Sequence, residues 1–533
     1  MLFLLLLVLN VRGQLRFIID DFEGYADGTA DLTKNGVFAY GNSGVSIVGV
    51  SGAAAIAGKP DRLGQRSLRL SKKGKQEYGG WGKGTSVCVQ LDVRTDELCF
   101  YIRLSSGLPK KLNIILQEDD DGDNVFKKEH DDQWMCEALL TPGSNDEWRQ
   151  VSLPLKQFSD DTHGGDGIFN CNYKEGKLLC LLMNFEKGQF LKGDEHLDID
   201  FICFSKGVLK EAAMHSQGCA LGLWSAEGNQ ANFTEIAGTF EQMFGKEKKL
   251  ALIHFFQPFS TDGTSNLSQY PSVERVNKII EQGYTPMITL ENHYVNVNST
   301  MKQPNLYSII EGHMDAFFAK WASEIKQMKG AVWVRILHEF NGDWYPWCIV
   351  NNDRNPELFV KAYRHIHNLF VKEGASNVKF VWCPNSMSLP QEPWNFIMDA
   401  YPGDEYVDIV GMDAYNGAGD ATLWHSFRRV AIENYFLFTQ QLPSKPIVIC
   451  ETASRERSLN EGAPAQTKAE WIAQLSETLQ SDMTEVRLLT WFNEKSTFKL
   501  NSSPGAKKAY YDRILKSYYF TGGNSSLGLL TGN

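Results

Sequence analysis

The chain has 533 residues, of which 43% are apolar and 22% charged, with a formal net charge of −11. That length exceeds one ordinary domain, so two are expected. The acidic balance and the lack of any dense Lys/Arg run argue against nucleic acid or an anionic membrane as the main partner, and point to a substrate that charge does not select.

Residues 1–13 carry an apolar run from Leu2 to Leu9, followed by Val11 and Gly13 where a signal peptidase prefers small residues. This reads as a signal peptide with maturation near Gln14, and hence as a secreted, extracellular protein. The run has no basic flank, so a buried first strand is the alternative. No later stretch is long and apolar enough to span a bilayer.

From residue 14 to 207 the chain is built of short alternating segments such as SLRLS, CVQLDV, LCFYIRL, LNIILQE and QVSLPL, broken by Gly, Asp and Asn. Period-2 alternation with frequent turns predicts an all-β jelly-roll sandwich. Within it, Glu118 to Asp123 reads EDDDGD, but Gly122 stands fourth from Asp119 rather than sixth, so a solvated turn is expected and not an EF-hand. Trp81, Trp134 and Trp148 are either core residues or stacking platforms for sugar. Ten cysteines permit disulfides without revealing their pairing, and no CxxC or Cys/His cluster suggests zinc. Asn232, Asn266, Asn298, Asn501 and Asn524 stand in Asn-x-Ser/Thr sequons.

Over residues 208–519 the grammar changes to apolar strand, loop, then amphipathic helix. Eight strand segments follow in order: ALGLW, LALIHFF, YTPMITLE, AVWVRILHE, VKFVWCPN, VDIVGMDAY, PIVICET and VRLLTWFN. Helical spacing is clear between Pro356 and Gly374, where Leu358, Phe359, Ala362, Tyr363, Ile366, Leu369 and Phe370 share a face. Eight such units in about 300 residues predict a (β/α)8 TIM barrel. Residues 520–533, rich in Gly and Ser, are expected to be a disordered tail.

Barrel active sites lie at the C-terminal ends of the strands. Strand 3 ends at Glu291, Asn292 and His293; strand 4 at His338 and Glu339; strand 5 at Trp382 and Asn385; strand 6 at Asp413 and Tyr415; strand 7 at Glu451; strand 8 at Trp491. Carboxylates on strands 4 and 7 face one small volume across the barrel mouth. Cleavage of a glycosidic bond uses such a pair, one protonated to serve the leaving oxygen and one ionised to attack the anomeric carbon. Either glutamate alone could be an ordinary rim charge. The loop after Glu339, however, brings Trp344, Tyr345 and Trp347, whose faces suit the apolar faces of sugar rings.

The segments RILHEFNGDWYPW, NVKFVWCPN, YPGDEYVDIVGMDAYN, PIVICETAS and LLTWFN together resemble glycoside hydrolase family 26, from about Leu221 to Tyr518. The His-Glu pair after the strand-4 Arg is the most specific of these features. The resemblance implies a retaining endo-β-glycanase with Glu339 as acid/base and Glu451 as nucleophile. It also implies that His338 positions the nucleophile, that Tyr415 hydrogen-bonds it, and that Trp491 floors the subsite of the sugar being cleaved. Trp382, Asn385, Glu291 and His293 complete the expected substrate-binding set. Arg335 lies on the same side of its strand as Glu339 and could brace it or sit in a barrel-core ion pair. The substrate implied is β-1,4-mannan or mixed-linkage β-1,3-1,4-glucan, with β-1,3-xylan as an alternative. The WYPW segment departs from the WFWW-like run of many mannanases.

The opening IIDDFEGYADG and closing HLDIDFICF of the front domain resemble family 11 carbohydrate-binding modules. That resemblance implies a β-glucan ligand and a structural calcium, with Glu23 and Asp200 as oxygen ligands, whereas strand-end carboxylates are the plainer reading. No cofactor is expected for catalysis, and a monomer is expected. A catalytically dead polysaccharide-binding protein would keep the aromatics but lack one glutamate. A metal-dependent barrel enzyme would place several His or Asp residues on convergent strand ends, where Glu and Trp stand instead.

Overall fold

A computed structural model describes every residue except 1–13, 26–27, 31, 51–62, 107, 143–146, 162–163, 173, 210–217, 226–233, 259–269, 292–304, 418–423, 457–465, 524–526 and 528–533. The expected signal peptide, His293 and most of the expected tail therefore lie outside the described residues. The chain divides into two compact units, the first running to residue 213 and the second beginning at 214.

The first unit contains strands β1 (Gln14–Asp20), β2 (Val37–Gly41), β3 (Ser43–Gly49), β4 (Arg66–Lys72), β5 (Gly79–Val87) and β6 (Asp96–Leu104). It continues with β7 (Lys110–Asp119), β8 (Gln133–Leu140), β9 (Arg149–Pro154), β10 (Ser159–Asp160), β11 (Lys177–Phe185) and β12 (His196–Lys206). They form two antiparallel sheets, one of β1, β3, β4, β12, β6 and β9, the other ordered β10-β8-β7-β11-β5-β2. Alternation decides which side chains enter the core: in β8, Cys136, Ala138 and Leu140 are buried while Glu137 and Leu139 are exposed. Trp81 belongs to that core, and Trp134 packs against it half-buried. Trp148 lies under the Arg103 guanidinium, 5.8 Å from the ring centre.

The second unit contains β13 (Cys219–Ser225), β14 (Leu252–Pro258), β15 (Thr285–Glu291) and β16 (Val332–Arg335). These are followed by β17 (Val378–Trp382), β18 (Ile409–Asn416), β19 (Ile447–Ser454) and β20 (Val486–Asn493). Each pairs in parallel with the next, and β13 pairs with both β14 and β20, closing an eight-stranded barrel. One side chain from each strand (Ala220, Leu252, Met287, Trp333, Val381, Ile409, Val448 and Leu488) fills the interior. Because strand side chains alternate, the residues two and four positions further on also face inward, toward the C-terminal mouth. That alternation positions the site.

The helices around the barrel end as their sequences dictate. Pro356–Glu373 starts on the Asn355 cap with Pro at its first turn and stops at Gly374, whose φ of 75° suits glycine. Lys468–Ser481 starts on a capping box between Thr467 and Glu470. At the C-terminus, the structure corrects the start of the expected tail. Phe520–Thr521 form a short strand parallel to β13, and Phe520 is buried, so an aromatic finds a covered site where composition suggested only a polar end. All ten cysteines are buried free thiols. Among the described residues, no helix is long and apolar enough to cross a membrane.

Candidate active site

After Arg335 the backbone leaves β16 through two non-glycine residues in the left-handed region, Leu337 at φ 50° and Glu339 at φ 53°. Such conformations cost about 1 kcal/mol or more and persist where surrounding bonds enforce them. Here the Glu339 amide donates to the Cys383 carbonyl at 2.8 Å, tying the turn to the end of β17. The Glu339 carboxyl accepts from the Asn385 side-chain amide at 2.8 Å on one oxygen and from the Trp344 indole N–H at 2.8 Å on the other. Trp344 reaches back by lying over Gly342, where a Cβ would fall 2.5 Å from its ring. Burial, and next the charge of Glu451, push the Glu339 carboxyl up to about 7, against the two hydrogen bonds that favour its charged form. The group can thus hold a proton near neutral pH.

Glu451 reaches the same mouth through an irregularity. Met412 of β18 pairs with Ile449, but the next residue, Asp413, pairs with Glu451, so Cys450 is an extra residue on β19. This bulge lets Cys450 face the barrel core and the very next side chain, Glu451, point inward as well. One Glu451 oxygen accepts from the Arg335 guanidinium, and the other accepts from the Tyr415 hydroxyl at 2.5 Å. Arg335 also donates to both Asp413 oxygens at 2.7 Å, and to Thr289 Oγ1 at 2.8 Å, while fully buried. Burial pushes Glu451 above the ordinary carboxylate range, and Arg335 together with the Tyr415 hydroxyl pulls against that rise. Burial likewise raises Asp413, which shares the single guanidinium with Glu451. Of the two readings left open for Arg335, a brace under Glu339 or a barrel-core ion pair, the arrangement is the second: the guanidinium is fully buried and paired with Asp413 and Glu451.

His338 is 2% exposed, and burial followed by the Arg335 charge holds its imidazole well below the usual range, so the ring is neutral. One ring nitrogen lies within 4.8 Å of oxygens of Asp413 and Glu451. That trio could offer ligands to a metal, but the guanidinium of Arg335 already stands against both carboxylates. Tyr345 donates to Glu291 Oε1 at 2.6 Å and stacks on Trp347, with ring centres 4.4 Å apart and planes 14° from parallel. Asn385, Tyr415, Glu291, Trp344 and Tyr345 are thus brought together around the two glutamates.

Three aromatics of the expected set stand elsewhere. Trp347 is buried and donates its indole N–H to the His338 carbonyl at 2.7 Å, so it supports Tyr345 from behind rather than offering a face. Trp382 and Trp491 point outward, because Val381 and Leu488 face the interior and alternation turns the odd neighbours toward the helices. Trp382 packs on Phe438 and Tyr401. Trp491, 1% exposed, packs on Trp471 and Tyr510 and donates to the Phe498 carbonyl at 2.9 Å. The inward aromatic of β20 is Phe492, stacked on Trp224 at 4.1 Å and 7° and edge-on to Tyr415 at 5.7 Å. Phe492 is a site member that the strand ends alone did not single out; counting by twos from the buried Leu488 would have found it.

In the first unit, Glu23 Oε1 accepts the backbone N–H groups of Gln65 and Arg66, and Asp200 Oδ1 accepts that of Phe201. Neither belongs to a convergent group of three metal-capable side chains among the described residues.

The second unit is therefore a (β/α)8 barrel with two buried glutamates and an aromatic rim at its C-terminal mouth. Residues 276–458 match Glycosyl hydrolase family 26. Endoglucanase H of Acetivibrio thermocellus is 32% identical over 309 residues, covering 56% of this chain and 31% of that one. A mannan endo-1,4-beta-mannosidase of Bacillus subtilis is 30% identical over 182 residues, covering 32% of this chain and 48% of its own. The chain thus spans less than half the length of either relative. Among solved structures, a Cellulomonas fimi endo-beta-1,4-mannanase double mutant shares 14% identity at a TM-score of 0.44, over 59% of this chain and 74% of its own.

Proposed function

We propose that the barrel unit is a retaining endo-β-glycanase acting on β-1,4-mannan or mixed-linkage β-1,3-1,4-glucan, in a secreted protein. The observation that carries this reading is the pair of glutamates in opposite settings. Glu339 is held by two uncharged donors and pushed up to about 7, and Glu451 is seated on a buried guanidinium. Glu339 protonates the glycosidic oxygen as the bond to the anomeric carbon breaks, while Glu451 attacks that carbon to give a covalent glycosyl intermediate. Glu339, now ionised, takes a proton from the water that releases the sugar. Arg335 and the Tyr415 hydroxyl aim the attacking carboxylate and favour its charged form against the burial that raises it, and neutral His338 fills the space beside it without competing for its charge.

The names of the two relatives, an endoglucanase and a mannan endo-1,4-beta-mannosidase, support a glucan or a mannan as the substrate. For the sandwich unit we propose carbohydrate binding. Phe38, Tyr40 and Tyr78 form a row, with successive ring centres 6.2 and 6.4 Å apart, and Phe38 and Tyr78 are exposed. The glycines of β5 make room for it: a Cβ at Gly80 would meet Tyr40, and one at Gly82 would meet Phe38. The deciding experiment is release of reducing ends from galactomannan, barley β-glucan, lichenan, β-1,3-xylan and carboxymethyl cellulose. Activity on mannan or mixed-linkage glucan, abolished in Glu339→Ala and Glu451→Ala, is expected. Near-normal turnover by either variant would sink the assignment.

A further inference from the structure

The hydrogen bond from Asn385 to Glu339 joins two segments that the barrel sheet no longer holds together. The paired register of β16 and β17 ends at Arg335 and Val381, so both residues lie beyond it. Past that point the bond from the Glu339 amide to Cys383 is continued by a side chain. Asn341, fully buried and in the same turn as Glu339, accepts the Asn385 backbone N–H on Oδ1 at 2.8 Å and donates Nδ2 to the Asn385 carbonyl at 3.0 Å. One amide thus grips both backbone polar groups of one residue, as a neighbouring strand would otherwise do. A second amide reaches the same carbonyl from the surrounding helices: Asn434, on the helix Phe427–Gln441, donates Nδ2 to Asn385 O at 3.1 Å. The grip is itself held, because Asn395 Nδ2 at 2.8 Å and the Leu389 amide at 2.9 Å both donate to the Asn341 carbonyl.

The side chain of Asn385 is oriented in turn. Its Oδ1 accepts the Met387 N–H at 3.0 Å, which leaves Nδ2 to face Glu339. Burying an amide costs free energy unless its polar atoms are met, yet Asn341, Asn395 and Asn434 are all buried around this one loop. What their convergence secures is the place of Asn385, whose amide is the donor that favours the ionised form of Glu339. On the reading of Glu339 as the acid/base, we infer that Asn341, backed by Asn434 and Asn395, is a positioning residue for it, acting by fixing Asn385 at hydrogen-bond distance from its carboxyl.

The test compares the full chain and its variants by kcat/KM on a soluble polymer from acid to alkaline pH, and by hydrogen exchange around Asn385 read by mass spectrometry. Loosening Asn385 weakens a bond to the charged form, so Asn341→Ala should move the alkaline limb upward, by no more than the roughly one unit expected of Asn385→Ala. The midpoint of a limb does not depend on how much of the protein is folded, so partial misfolding does not mask the shift. Asn434→Ala, which removes one of two donors to the same carbonyl, should move the limb the same way but less, and it decides the outcome if Asn341→Ala fails to fold. Because these residues act through one bond, Asn341→Ala added to Asn385→Ala should give no further shift. Asn377→Ala is the control: its amide donates to the Ile325, Met328 and Gly330 carbonyls beside the N-terminal end of β17, so Tm should fall with the limb in place. Exchange around Asn385 should rise in Asn341→Ala and keep the wild-type rate in Asn377→Ala. A limb unmoved in Asn341→Ala and Asn434→Ala while Asn385→Ala moves it, a further shift in the double variant, or unchanged exchange overturns the inference. A limb unmoved in Asn385→Ala itself tells against Glu339 as the acid, and exchange then decides whether Asn341 fixes Asn385.

Discussion

Under the proposed mechanism the protonation of Glu339 sets the alkaline limb of activity, and its hydrogen bonds determine how that limb should move. With its carboxyl at about 7, kcat/KM should fall as pH rises through that value, because the acid needed to serve the leaving group is lost. The Asn385 amide, 2.8 Å from one carboxyl oxygen, favours the ionised form. A hydrogen bond to a charged group contributes about 1.5–3 kcal/mol, and roughly half of that is lost when the acceptor is neutral. At about 1.36 kcal/mol per unit, Asn385→Ala should move the limb upward by roughly one pH unit. Trp344→Phe should move it in the same direction, since the indole N–H makes the matching bond to the other oxygen. The assay is kcat/KM on a soluble polymer from acid to alkaline pH. A limb that stays in place or shifts downward in Asn385→Ala would refute the assignment of the proton to Glu339.

Two further outcomes follow from packing and charge. Arg335→Met leaves Asp413 and Glu451 buried without their cation; it should cost about 3–5 kcal/mol in denaturant unfolding and move the acidic limb of activity upward, because Glu451 then ionises only at higher pH. Trp491→Ala should cost about 3–5 kcal/mol through lost packing on Trp471 and Tyr510, whereas Trp491→Phe should leave KM near the wild-type value and Phe492→Ala should raise it. A raised KM in Trp491→Phe with unchanged stability would show that the outward placement is wrong.

Much of the barrel was legible because buried parallel strands read as nearly continuous apolar runs, and each of the eight segments became a strand. The position of Glu339 and Glu451 at the mouth was legible for the same reason. The facing of the tryptophans was harder to read: Trp382 and Trp491 stand at strand ends, as expected, but one residue out of phase with the interior, and a single step reverses the face. The bulge at Cys450 could not be read from spacing, because it arises from how β18 and β19 pair. Nor could the choice of partners for Arg335, which depends on Asp413 lying two strands away. In the front unit, alternation predicted the sandwich.

Trapping the intermediate tests the central assignment most directly. A 2-deoxy-2-fluoro glycosyl fluoride of the preferred sugar would be incubated with the chain, which is then digested and mapped by mass spectrometry. The adduct should sit on Glu451, and the first product seen by NMR should keep the β configuration. A label on any other residue, or an α product formed first, would contradict the double displacement by Glu451 and Glu339.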